Sequence, residues 1–348
     1  MRPTPAWLFV VFLGGSFCSG QVTYKVTTAR WPGDRQAAIS LTFDDGMATH
    51  LDIAGPVLKK HRLNGTFFVT AGSKVWRTRG EEWQRLTAEG HEIGGHTVHH
   101  PCLLERITPH AQAYTPGMME ADIREGAGDI AARIPSRRGL TFAYPCGNMS
   151  FGPPGAQAAN QALYLRYVAE HFFAARNYGW SGTVAPDALS VLTAPDLGLT
   201  AGRGFPELLG MAQPALRDGQ WGVFTFHGVG GEHLSVAREA FDELGAYLAR
   251  HAEIWTATFG DVVRYIQESQ ALGIRTVESG EARMELALNW PLDPQVYDLP
   301  LTLKFELPAN WTACAAEGDG KAISSRLSGR VALLEVPAQT KNLRISGK

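Results

Sequence analysis

Between Ala37 and Leu272 short apolar runs alternate with stretches of helical periodicity, and this alternation restricts the fold more than any other feature of the chain. AAISLTF (37–43), GTFFVTA (65–71), HEIGGH (91–96), LTFAYP (140–145), FFAARNY (172–178), SVLTA (190–194), GVFTFH (222–227) and EIWTAT (253–258) have the length and composition of strands. Residues 49–61, 81–90, 117–134, 234–251 and 259–272 place apolar residues at helical spacing, and 162–171 are mixed. Strands that are apolar along their whole length, each followed by a helix, must be covered on both faces, which calls for a parallel sheet. Seven or eight such units predict an α/β fold, a complete or distorted (β/α) barrel. In such a barrel, chemistry gathers at the carboxyl ends of the strands.

The pattern changes after Gly280. MELALNW, LTLKFELP, ISSRL, VALLEVP and NLRISG alternate as short strands, with no helix among them. The chain therefore divides into a barrel over 21–275 and a small β-sandwich-like module over 280–348, with 273–281 as the junction. Trp290 and Trp311 are the module's only tryptophans, so a role in packing is expected rather than a glycan-binding strip. Residues 1–20 read as a secretory signal peptide: Arg2, an apolar AWLFVVFL (6–13), then small Cys18 and Gly20 ahead of a cut before Gln21. Attachment of lipid at Cys18 is the rival reading, and bulky Phe17 opposes it. The expected location is secreted, periplasmic or at the cell surface. No later segment is long and apolar enough to span a bilayer. With 32 basic and 34 acidic residues, the chain has no electrostatic footprint for nucleic acid. After cleavage Cys102, Cys146 and Cys314 remain, an odd count. A Cys102–Cys146 bridge is possible, but these two thiols are expected to stay unpaired.

Titratable residues fall where a barrel would use them. TFDDG (42–46) puts adjacent Asp44 and Asp45 at a strand end. In GGHTVHHP (94–101), His96 and His100 stand one helical turn apart, with His99 as a competitor. Two histidines and one carboxylate bind Zn²⁺ and leave a position open for water. The second carboxylate is then available to take a proton from that water. The alternatives are an Asp helix cap and solvated histidines. FTFHG (224–228) places His227 at another strand end, where it can serve as the acid for a leaving group. In FAYPCG (142–147), the backbone N–H of Cys146 can face a developing oxyanion.

The order TFDDG, HTVHHP, YPCG and FHG resembles the polysaccharide deacetylase family, the NodB-homology fold of carbohydrate esterase family 4, over roughly residues 36–270. By that resemblance Asp44 looks like the catalytic base, and Asp45, His96 and His100 like the metal ligands. His227 looks like the general acid, and Tyr144, Pro145 and Cys146 like the oxyanion motif. The implied cofactor is a divalent metal, Zn²⁺ first. The implied partner is an acetylated glycan, its N-acetyl groups before O-acetyl. The family's third motif often carries Arg two residues before the Pro, where this chain has Ala143. Arg176 is the expected substitute, paired with Asp44. The fourth motif, often D-x-x-D-W, is reduced to RNYGW (176–180), leaving Trp180 to stack on sugar or pack and His227 without an identified partner. The alternatives kept open are a same-fold hydrolase of another C–N amide in a small molecule and a noncatalytic glycan-binding protein.

Overall fold

The computed structural model describes residues 24–134, 138–178 and 182–348. The expected signal peptide and Trp180 lie outside the described residues. A short strand β1 (Val26–Thr28) precedes β2 (Ala37–Phe43), which is buried at every position. Six more strands run parallel to β2: β3 (Thr66–Val69), β4 (Glu92–Gly95), β5 (Thr141–Ala143), β6 (Ala174–Arg176), β7 (Trp221–Phe226) and β8 (Ile254–Thr256). Their order is β6-β5-β4-β3-β2-β7, all parallel. β8 pairs with the first half of β2 (Ala37–Ile39), and β3 with its end (Thr42 and Phe43). The helices α1 (Gly55–His61), α2 (Lys74–Thr78), α3 (Gly80–Ala88), α4 (Pro116–Arg133), α5 (Gln157–His171), α6 (Phe205–Asp218), α7 (Arg238–Arg250) and α8 (Phe259–Ala271) alternate with the strands. This is the expected distorted (β/α) barrel. Phe43, Phe67, Phe226 and Phe241 stack between the strands and α7 and fix their spacing.

The barrel is distorted because β6 and β7 do not pair directly. Residues 194–200 run between them instead, with Ala194 bridging to Arg176 and Leu199 to Thr225. The expected strand over 190–194 is therefore corrected to a turn, Thr193 N–H donating to the Ser190 carbonyl, followed by isolated bridges. Pro195 cannot donate to a ladder, which keeps the segment irregular. The helix α6 was hidden in the sequence by two prolines. Pro206 sits in its first turn, where the missing N–H costs nothing, and Pro214 is tolerated inside it. The mixed stretch 162–171 is the second half of α5.

The remaining strands are β9 (Gly273–Ser279), β10 (Arg283–Asn289), β11 (Leu301–Glu306), β12 (Cys314–Gly318), β13 (Lys321–Ile323), β14 (Ser325–Ser328), β15 (Val331–Val336) and β16 (Asn342–Gly347). They form two antiparallel sheets, β1-β11-β15-β14 and β13-β12-β16-β10-β9, around Leu286, Leu303, Phe305, Leu334 and Ile345. The first strand of the described chain is thus built into this sheet pair. Residues 273–279, read as a junction, form the edge strand β9; exposure of the consecutive residues 275–278, on both faces, leaves no alternation to read. Trp311 is buried in the core between the sheets, and Trp290 donates its indole N–H to the Thr340 carbonyl at 2.7 Å.

Glu268, near the end of α8, is buried beneath the 290–299 segment. Its Oε1 accepts from Leu299 N–H at 3.2 Å, and its Oε2 has no partner among the described residues. Burial pushes its pKa up to about 7. A raised carboxyl pKa means that the folded state binds the proton more tightly than the unfolded state. The stability it confers is full below about pH 4.5 and is lost as pH rises through about 7. Glu268→Gln is expected to add about 1–2 kcal/mol at pH 8 and nothing near pH 4. Urea melts at both pH values check this, and an equal effect at both would refute it.

Candidate metal and catalytic site

Every candidate residue lies at the carboxyl end of a barrel strand. Asp44 and Asp45 follow β2, His96 follows β4, Tyr144 to Cys146 follow β5, Arg176 ends β6 and His227 follows β7. Of these, Asp44, Asp45, His96, Cys146 and His227 border a cleft of about 520 Å³ with His100, Thr70 and Tyr178, while Tyr144, Pro145 and Arg176 stand behind its wall. Adjacent side chains on an extended strand diverge, so the two carboxylates can share one cleft only if the backbone turns between them. It turns at Asp45, whose φ is +78°, with Gly46 following at +67°.

Asp45, His96 and His100 bring their ligand atoms within 4.8 Å of one another. Asp45 Oδ1 is 3.4 Å from His96 Nε2 and 3.3 Å from His100 Nε2. The two imidazoles do not meet through a helical turn, as the spacing had implied. Residues 96–100 form a loop, curled by positive φ at Thr97 (+62°) and His100 (+57°) and closed by His100 N–H donating to Thr97 Oγ1. Its outer backbone is held by Asp122 on α4, a buried residue that sequence reasoning missed. Asp122 Oδ1 accepts from Val98 N–H at 2.6 Å and His99 N–H at 3.1 Å, while Oδ2 accepts from Tyr114 Oη–H at 2.8 Å. His99 is largely exposed, with its Nδ1 3.4 Å from Asp122 Oδ1, and stands outside the set formed by Asp45, His96 and His100.

This set fits a divalent cation. His96 Nδ1–H donates to the Ala143 carbonyl at 2.7 Å, which turns Nε2 toward Asp45 as the nitrogen that would bind a metal; burial opposes a charge on this imidazole, but Asp45 and Asp44 outweigh it and raise its pKa, so a bound cation would take the place of that proton. Burial, aided by His96, lowers the His100 pKa to about 4, so its imidazole is neutral as a ligand must be. Burial opposes ionisation of Asp45, but the hydrogen bond and charge of His96 outweigh it and hold that carboxyl well below the usual range.

Arg176 is fully buried, and its Nη2 donates to Asp44 Oδ1 at 2.5 Å and Oδ2 at 2.6 Å. Burial pushes the Asp44 carboxyl up, but the Arg176 guanidinium, then His96 and His227, outweigh it and keep its pKa below the ordinary value. Arg176 Nη1 donates to Thr225 Oγ1 at 2.8 Å and lies 3.8 Å from Asp196 Oδ2. Asp196, also fully buried, accepts from Thr225 Oγ1–H at 2.7 Å. The sequence offered no signal for Asp196, since a lone Asp before Leu in an irregular segment reads as a turn.

His50 was also missed. It is fully buried, accepts from Met47 N–H at 3.2 Å and donates Nε2–H to the His227 carbonyl at 2.8 Å. One imidazole thus ties the turn after the acid pair to the strand end that carries His227. Burial lowers the His50 pKa to about 4, which keeps it neutral in this role. His227 is likewise pulled down by burial, against the pull of Asp44 and Asp45, and its Nδ1 has no partner among the described residues.

Cys146 sits in a tight turn with φ +52°, followed by Gly147 at +68°. A Cβ on Gly147 would lie 2.2 Å from the Tyr178 carbonyl oxygen, so only glycine fits there. The expectation that Cys102 and Cys146 stay unpaired is overturned. They form a disulfide, with Cα atoms 5.9 Å apart, and only Cys314 remains free among the described cysteines. The two cysteines are far apart in sequence, and what brings them together is β4 pairing with β5, which sequence spacing does not reveal.

A model of the polysaccharide deacetylase family matches residues 33–164, a span that contains the acid pair, His96 and His100 and the Cys146 turn but not Arg176 or His227. The chain is 40% identical over 79 residues to the peptidoglycan-N-acetylmuramic acid deacetylase PdaA of Bacillus subtilis (strain 168), an overlap of 22% of this chain and 29% of that protein. It is 22% identical over 313 residues to a gellan lyase from Bacillus sp, covering 85% of this chain and 12% of that protein. It thus spans less than a third of the length of either relative. A solved structure from Mycobacterium smegmatis, provisionally described as a polysaccharide deacetylase, superposes with a TM-score of 0.49 at 16% identity, covering 73% of this chain and 98% of that one. Over residues 33–164, the part of the barrel that carries the acid pair and both histidines, the chain is similar to the polysaccharide deacetylase family.

Proposed function

We propose that the protein is an exported, metal-dependent deacetylase that hydrolyses N-acetyl groups of a glycan. The observation that carries this reading is the pairing of a metal-ligand triad with a second, buried carboxylate held ionised beside it. A divalent cation on Asp45, His96 and His100, Zn²⁺ by ligand type, would supply Lewis acidity toward the scissile carbonyl and its attacking water. Asp44, aimed by Arg176, accepts the proton of that water. The N–H of Cys146, in the turn with Tyr144 and Pro145, donates to the carbonyl oxygen as charge builds on it. His227 gives a proton to the departing nitrogen. Arg176 touches neither substrate nor water in this scheme and acts by positioning Asp44.

The Cys102–Cys146 disulfide supports export, since such bridges persist in oxidising compartments. No described helix is long and apolar enough to cross a membrane. We assign the barrel (21–275) to catalysis and the β module (280–348) to packing, because both of its tryptophans are engaged within the protein. The gellan lyase name is not carried over, because the chain spans 12% of that protein.

Acetate release from chitooligosaccharides, poly-N-acetylglucosamine, peptidoglycan and acetylxylan, with and without chelator, tests the reading. Release that stops on chelation and returns with Zn²⁺ is the expected result. Absence of release from every substrate by folded, zinc-loaded protein would sink it in favour of another amide or of glycan binding alone.

A further inference from the structure

Beside Arg106, Tyr178 and His233, the cleft is bordered by a group of aliphatic side chains that a sugar's hydroxyls would not require. Leu104, Leu199 and Leu234 are 43%, 38% and 36% exposed, and with Ile107 they border the cleft above Asp44 and the ligand triad. They come from three loops far apart in sequence, after β4, β6 and β7, so their convergence is not an accident of one local segment. Exposed leucines gathered at one concave site mark a ligand surface.

These loops are held in place by hydrogen bonds. The loop of Leu104 is closed by Ala111 N–H donating to the Cys102 carbonyl at 2.8 Å and by the disulfide to Cys146. Leu199 is fixed by its bridge to Thr225 and by Arg203 Nε–H donating to its carbonyl at 2.7 Å. Leu234 stands at φ +45° between Gly228 N–H donating to the His233 carbonyl and Gly202 N–H donating to the Ser235 carbonyl, both at 2.9 Å. The loops that carry Leu199 and Leu234 are thus bonded to each other. A pyranose offers hydroxyls around its edge and a flat C–H face, which aromatic rings suit. Branched aliphatic side chains on a fixed backbone suit an alkyl chain.

Resting on the deacetylase reading, we infer that the substrate of this site is an N-acylated sugar bearing an alkyl chain, and that Leu104, Leu199 and Leu234 are its specificity-determining residues. The chain belongs either to the acyl group that is removed or to an aglycone beside it.

Two substrate series separate these sources. In one, chitobiose carries N-acetyl, N-butyryl or N-hexanoyl groups; in the other, N-acetylglucosamine carries a methyl, hexyl or octyl aglycone. The expected result is a rise in kcat/KM of roughly threefold per methylene in one series. Leu199→Ser with Leu234→Ser should flatten that slope, and Leu199→Val with Leu234→Val should keep it. A flat slope in both series with normal turnover overturns the inference. Calorimetric binding of octyl against methyl N-acetylglucosaminide to Asp44→Asn protein gives a readout independent of turnover. Tighter octyl binding by a protein that deacetylates nothing keeps the alkyl site and overturns the deacetylase reading instead.

Discussion

Arg176→Met is expected to lower the unfolding free energy by about 3–5 kcal/mol, the usual result of removing one partner from a buried ion pair. Asp44→Asn should cost clearly less, although it removes the other half of the same pair. The asymmetry follows from the third member of the cluster. Asp44 and Asp196 are both buried against one guanidinium, at 2.5 Å and 3.8 Å. Removing Arg176 takes from two buried carboxylates the guanidinium they share, whereas removing the charge of Asp44 leaves Arg176 still facing Asp196. Thr225 accepts from Arg176 and donates to Asp196, so the geometry of that remaining pair survives the substitution. Urea denaturation of the two single variants and the double variant measures this directly. The double variant should recover part of the loss of Arg176→Met, because it removes one of the stranded carboxylates. Equal losses in the two single variants would mean that Asp196 does not share the guanidinium. Activity should not show the same asymmetry. Both substitutions are expected to cut acetate release at least about a hundredfold, Asp44→Asn by removing the proposed base and Arg176→Met by releasing it from its aim.

Much of this arrangement was legible before any coordinate. Strand β2 coincides with the apolar run AAISLTF because a central parallel strand is buried on both faces, a pattern that local sequence records in full. The acid pair and the two histidines were readable for a similar reason: their chemistry restricts residue type at each place, so the motif survives reading in one dimension. What escaped was set by contacts between distant segments. Asp196 and Arg176 meet because residues 194–200 fill the gap between β6 and β7, and an irregular segment carries no periodicity to announce it. His50 looked like one polar residue of an amphipathic stretch, although it faces inward and bridges two strand ends. The spacing of His96 and His100 suggested the right convergence through the wrong geometry, since positive φ at Thr97 and His100 achieves in a loop what a helical turn would have.

The disulfide is the largest feature that the sequence reading missed, and its removal carries the second large expected effect. It joins cysteines 44 positions apart, so the chain-entropy relation predicts that Cys102→Ser with Cys146→Ser costs about 4 kcal/mol of stability. Its position in the turn proposed to face the oxyanion suggests a parallel loss of catalysis, yet the local hydrogen bonds argue otherwise. The turn is closed without the sulfurs, by Gly147 N–H donating to the Tyr144 carbonyl at 2.9 Å and Asn148 N–H to the Pro145 carbonyl at 3.0 Å. On the other side, Leu103 N–H donates to Asn148 Oδ1 at 3.0 Å, which links the same two segments independently. The His100 loop is held from α4 by Asp122. The bridge therefore acts mainly on the unfolded chain, and the native site has other supports. The double serine variant should melt much earlier than the parent, with a larger urea m-value because its unfolded chain is no longer cross-linked, while its kcat at 25 °C stays within a few-fold. Reduction of the parent by dithiothreitol should reproduce both effects. A collapse of kcat with little change in stability would show the reverse, that the sulfurs hold the Cys146 amide in place and the surrounding hydrogen bonds do not.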